Sequence, residues 1–94
     1  MKKEWRALIQ LFAEHSSVNE MDQLFHLFLT PNERDFLIQR FKIVKALLTT
    51  DFSQRKIAEE VNVSIANITA GSKELKRTKP AFKRLLRERI EEIA

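Results

Sequence analysis

Asn67, Thr69, Lys73 and Lys76 fall on the sides of one short segment that Ile68 and Leu75 do not occupy. If the segment is a helix, its outer surface is polar and basic while its inner surface is apolar. Such a helix suits the major groove of duplex DNA, where base edges offer donors and acceptors and the flanking phosphates attract cations. The same pattern also fits the solvated side of an ordinary helical hairpin. Residues 73–89 hold eight basic side chains against two acidic ones, a local charge of +6 in a chain whose total is +4. A positive field concentrated this way is the electrostatic footprint of phosphate binding. A second candidate is Arg40, which lies on the turn between Leu37 and Val44 and points near their apolar stripe. It either snorkels along apolar surface or is held over a pocket to receive an anion. Bond-breaking chemistry has no comparable set of residues. There are no paired carboxylates in an apolar setting and no nucleophile beside a histidine, and His15 and His26 lack partners at metal-ligand spacing. We expect neither an enzyme nor a metal site.

The element that must position the polar face is residues 53–76, SQRKIAEEVNVSIANITAGSKELK. It reads as two short helices broken at Asn62-Val63-Ser64, a helix-turn-helix. Ser53 and Ser64 are each placed to cap a helix by accepting a first-turn N–H. Ile57 and Val61 share one face of the first helix, and small Ala58 sits where the second helix crosses. Asn62 tolerates the left-handed backbone that a tight turn needs.

The remaining chain supplies the platform. Its 94 residues are 44% hydrophobic and 32% charged, with one glycine, two prolines and no cysteine. That composition describes a single helical domain over residues 1–94 with a modest core, without disulfides or thiolate metal sites, and suited to a reducing cytoplasm. No continuous apolar run of signal-peptide or membrane-spanning kind is present, so a membrane partner is not expected. A first helix is predicted near residues 2–13, with Trp5, Leu8, Ile9 and Phe12 at helical spacing, and a second near 19–29. Thr30-Pro31-Asn32-Glu33 offers a cap, a first-turn proline and a capping-box glutamate. The third helix then runs to about residue 49 with Leu37, Phe41, Val44 and Leu48 as its apolar stripe. Pro80 opens a last helix whose buried face is Phe82, Leu85, Leu86, Ile90 and Ile93. Helices one, two and six carry more apolar surface than so short a chain can cover, which predicts an obligate dimer.

Residues 29–75 resemble the tryptophan repressor family without a gap, over about half the chain. The resemblance rests on Leu29-Thr30-Pro31-Asn32-Glu33-Arg34, on Gln39-Arg40, on Ser53-Gln54-Arg55 and on Ile68-Thr69 followed by Gly71-Ser72. It implies an all-α, six-helix intertwined homodimer with a helix-turn-helix reading head per subunit. It also implies a repressor that binds operator DNA when tryptophan or a related indole occupies a pocket. By position, Leu27, Leu29, Thr30, Arg40, Val44 and Gly71 would line that pocket. Arg40 would hold the ligand carboxylate, carbonyls near Leu27 and Leu29 its ammonium, and Gly71 would leave room for the ring. Gln54, Arg55, Ile65, Ala66, Asn67 and Thr69 would contact DNA, and Lys76 would reach phosphate.

Three positions depart from the family pattern. Ala70 replaces an arginine that normally covers the indole, and losing a charged donor costs roughly 1.5–3 kcal/mol, about ten- to a hundredfold in affinity. Glu74 replaces a small uncharged residue of the pocket rim, and a carboxylate there attracts an amine but repels an acid. Ala58 stands where the family often has a basic DNA contact. Tryptophan, an indole amine and no ligand at all therefore stay open as regulators. Outside the resemblance, a basic helical module that meets an acidic protein or a membrane surface stays open too.

Overall fold

The computed structural model describes residues 2–14 and 17–93, and in them short polar signals set where six helices begin. These are α1 (Lys2–Ala13), α2 (Val18–Phe28), α3 (Pro31–Thr49), α4 (Gln54–Val61), α5 (Ile65–Arg77) and α6 (Pro80–Ile93). Ser17 accepts from the Glu20 N–H at 3.0 Å and opens α2 one residue before the predicted start. Ser53 accepts from the Lys56 N–H at 3.1 Å, and Ser64 from the Asn67 N–H at 3.3 Å. Each serine satisfies a donor that the helix geometry leaves without an internal partner. At the start of α3 the Thr30 N–H donates to Glu33 Oε1 at 2.8 Å and the Glu33 N–H donates to Thr30 Oγ1 at 3.2 Å. That is a reciprocal capping box. His15 and Ser16, expected to lead out of the first helix, lie outside the described residues.

The chain divides into two units, Met1–Asp35 and Phe36–Ala94. In the first, α1 and α2 meet through aromatic rings. Phe12 lies 5.1 Å from Phe25 and 6.0 Å from Phe28 between centroids, the latter pair edge to face. No residue of α1 or α2 is fully buried, and Trp5 stays 63% exposed. In the second unit Ile43 of α3, Ile57 of α4 and Ile68 of α5 form the core. Ala46, Leu47, Ala58, Val61 and Val63 pack around them.

Two predicted apolar faces differ from those observed. On α3 the fully buried residue is Ile43, while Leu37 and Phe41 are about half exposed. The helix is apolar on more than one side, so spacing alone could not select the side that meets α4 and α5. On α6 only Ile90 is buried, and Phe82, Leu85 and Ile93 remain exposed. Among the described residues, no helix is long and apolar enough to cross a membrane.

The Thr30 N–H, and after it the Thr30 hydroxyl, hold the Glu33 carboxyl below its ordinary value of 4.5. A depressed carboxylate contributes stability above its unfolded-state pKa and loses it as pH falls through the lower native value. Wild type should therefore unfold at a higher denaturant concentration than Glu33→Gln at neutral pH. The difference should shrink as pH drops below 4.5, as measured by circular dichroism.

Candidate nucleic-acid interface

The reading head is built from the inside outward. Ile57 and Ile68 are completely removed from water, and Ile43 is 1% exposed. The turn between α4 and α5 closes because Asn62 takes φ 58° and ψ 52°, the left-handed region. Its N–H and that of Val63 both reach the Ala58 carbonyl, the latter at 3.3 Å. Ala58 is partly buried against the core, as its small size allows. With these inward residues pinned, the periodicity of α5 leaves Ile65, Ala66, Asn67, Lys73 and Lys76 exposed.

Not every residue expected on the outer face stands free. Thr69 is half-buried, and its hydroxyl donates to Gln54 Oε1 of α4 at 2.9 Å. Lys56 is occupied as well. Its ammonium is 2.9 Å from Glu60 and 5.7 Å from the centre of the Phe52 ring, and the hydrogen bond to Glu60 raises its pKa. Arg77 is paired with Glu74 at 3.1 Å. Among the described residues, Arg55, Lys73, Lys76, Lys79, Lys83 and Arg84 have no ion-pair partner. Their charges are uncompensated by direct contact, which is the state a phosphate backbone requires.

The residues expected to hold a small molecule divide between the two units. In the first, Leu27 is 76% exposed. Thr30 is committed to the α3 cap, and the Leu29 carbonyl accepts from Arg34 Nη1 at 2.9 Å. In the second, a Cβ built on Gly71 would lie 3.0 Å from Ile43 Cγ2 and 3.8 Å from Arg40 Cδ. The space beside Gly71 is thus taken by Ile43, and the stem of Arg40 runs alongside. Arg40 has no hydrogen-bond or ion-pair partner among the described residues. Val44 is half-buried, and Glu74 is exposed with its carboxylate turned to Arg77.

The expected apolar stripe left out Ile43, and Arg34 entered only through the Leu29–Arg34 motif, with no contact assigned to it. The signal for Ile43 was its four-residue spacing to Leu47. Arg34 had no comparable signal, because its partner is a backbone carbonyl. His26, by contrast, sits on the surface with Nδ1 2.8 Å from the Asp22 carbonyl oxygen. No group of three or more His, Cys, Asp and Glu could hold a metal ion among the described residues.

Six helices, with a capped and tightly turned pair presenting a basic face, define an all-α helix-turn-helix protein. Residues 3–90 match the family described as Trp repressor protein. A Trp operon repressor homolog of Chlamydia trachomatis serovar L2 is 41% identical over 86 residues, covering 92% of each chain. One from Chlamydia caviae is 41% identical over 83 residues, 88% of this chain and 82% of the relative. One from Vibrio parahaemolyticus is 34% identical over 92 residues, 98% of this chain and 89% of the relative. The chain belongs to the Trp repressor family.

Ile68→Ala should cost about 2–5 kcal/mol, because it opens a cavity where three helices meet. Urea unfolding followed by circular dichroism measures it directly.

Proposed function

We propose that the protein is a sequence-specific DNA-binding repressor acting as a homodimer. The observation that carries this reading is the α4–α5 pair, whose Ile57 and Ile68 are committed to the core while Arg55, Lys73 and Lys76 have no ion-pair partner among the described residues. The relatives named as Trp operon repressor homologs support the regulatory role. Gln54, Arg55, Ile65, Ala66, Asn67 and Thr69 form the DNA-contacting set, and Lys76 reaches phosphate. Dimerisation is supported by Trp5, Leu27, Phe36, Phe82 and Ile93, all more than half exposed. Burying each such side chain is worth about 1.5–3 kcal/mol. A two-fold dimer would also set two reading heads about one DNA turn apart. A protein that does this work belongs with the DNA in the cytoplasm.

Tryptophan or a related indole is proposed as the controlling ligand. Its support is Arg40, whose stem runs beside Gly71 and whose guanidinium has no partner among the described residues, together with Glu74, whose charge is partly answered by Arg77. Glu74 and the absence of an arginine at Ala70 suit an indole amine, whereas Arg40 suits the carboxylate of tryptophan. Control then requires the ligand to bind the DNA-competent state more tightly than the other state.

A second reading keeps DNA binding and drops the ligand. It is supported by Ile43 filling the space at Gly71 and by Arg34 occupying the Leu29 carbonyl.

Duplexes selected from a randomised pool should be retained as complexes holding two chains. Binding should weaken steeply with salt, and Lys76→Ala should reduce the slope of log K against log salt by about 0.9. Salt-insensitive binding, or one chain per duplex, would count against the repressor dimer.

Calorimetric titration with tryptophan, tryptamine and indole acids separates the two ligand readings. Heat of binding to wild type that Arg40→Ala diminishes for the acids supports the corepressor. Silence toward all of them at millimolar concentration, with DNA binding intact, selects the ligand-free version.

A further inference from the structure

We propose that Thr69 is a positioning residue that decides which polar groups the reading head offers to DNA. The inference rests on the DNA-binding reading above and deepens it. Thr69 of α5 and Gln54 of α4 are fifteen residues apart and both half-buried, and the Thr69 hydroxyl donates to Gln54 Oε1 at 2.9 Å. No other side-chain-to-side-chain hydrogen bond joins the two helices among the described residues.

This bond uses the single hydrogen of Thr69 and one of the two lone pairs of Gln54 Oε1. A glutamine amide has an acceptor oxygen with two lone pairs and an NH2 with two hydrogens, whereas a threonine hydroxyl has a single hydrogen and two lone pairs. Reading adenine through a glutamine needs oxygen and nitrogen together. With Oε1 engaged by Thr69, the amide is held with that oxygen toward α5, and its NH2 has no partner among the described residues. That group suits phosphate oxygens, which accept and never donate, and a contact of that kind anchors the head without reading sequence. Thr69 has given its hydrogen away and cannot donate to phosphate. Its outward lone pair accepts from the amino group of cytosine or adenine, and its methyl packs against thymine. The head therefore has a fixed polarity, with a donor at the start of α4 and an acceptor on α5.

The test measures affinity for a duplex selected by wild type, at constant salt, with helicity checked by circular dichroism. Thr69→Val frees the amide and should weaken binding by about tenfold, within the range that one hydrogen bond carries. Thr69→Ser should recover most of that loss. Gln54→Glu keeps the acceptor for Thr69 but presents a carboxylate to phosphate, and should bind more weakly than Gln54→Ala. Combining Gln54→Ala with Thr69→Val should cost less than the sum of the two, because the residues act through one bond. Losses that simply add would overturn the proposal, as would Thr69→Val binding like wild type. So would a Gln54→Ala defect confined to duplexes carrying one particular adenine. A wild type that selects no duplex at all would overturn the DNA reading itself, and this inference with it.

Discussion

Ile43, Ile57 and Ile68 come from three different helices and meet with almost no exposed surface. Everything the α4–α5 pair presents depends on that meeting. Close packing in a protein interior tolerates few voids, so three branched side chains fix the distances between their helices. Gly71 lets α5 pack against Ile43, since a Cβ there would fall 3.0 Å from Ile43 Cγ2. Its lack of a side chain brings α5 directly onto α3. The polar residues of α5 then have no choice of direction, because the helix cannot rotate without exposing Ile68.

The charges follow from this constraint without being part of the stabilising core. Every ion pair described in the chain is solvent-exposed, and such pairs contribute little to stability. Their effect is on which charges remain available. Glu60 occupies Lys56 and Glu74 occupies Arg77, whereas Lys73 and Lys76 have no ion-pair partner among the described residues. The result is a basic surface with gaps at defined places. Those gaps matter for recognition, because an uncompensated lysine meets a phosphate more favourably than one already paired.

The same economy leaves much apolar surface uncovered. The first unit contains aromatic contacts among Phe12, Phe25 and Phe28 but no fully buried residue in either helix. On α6, Ile90 is buried while Phe82, Leu85 and Ile93 are not. The proposed dimer gives these residues a covering partner, and it couples assembly of the fold to the spacing of two reading heads. Stability and function would then draw on one interface.

Local rules made much of this legible in the residue order. Ser53, Ser64 and the Thr30–Glu33 box marked helix starts because capping needs only atoms within a few residues, and Asn62 marked the turn because few residues accept φ 58°. The family was legible too, in the residues between Leu29 and Ser72. Tertiary structure alone decided which side of α3 is buried, since Leu37, Phe41 and Val44 obey helical spacing as well as Ile43 and Leu47 do. It alone placed Ile43 against Gly71, gave the Leu29 carbonyl to Arg34, and tied Thr69 to Gln54 where the sequence suggested a free outer face. Periodicity reports which residues share a side of one helix. Which neighbour that side meets, and which hydrogen-bonding groups the meeting consumes, depend on contacts between residues far apart in the chain.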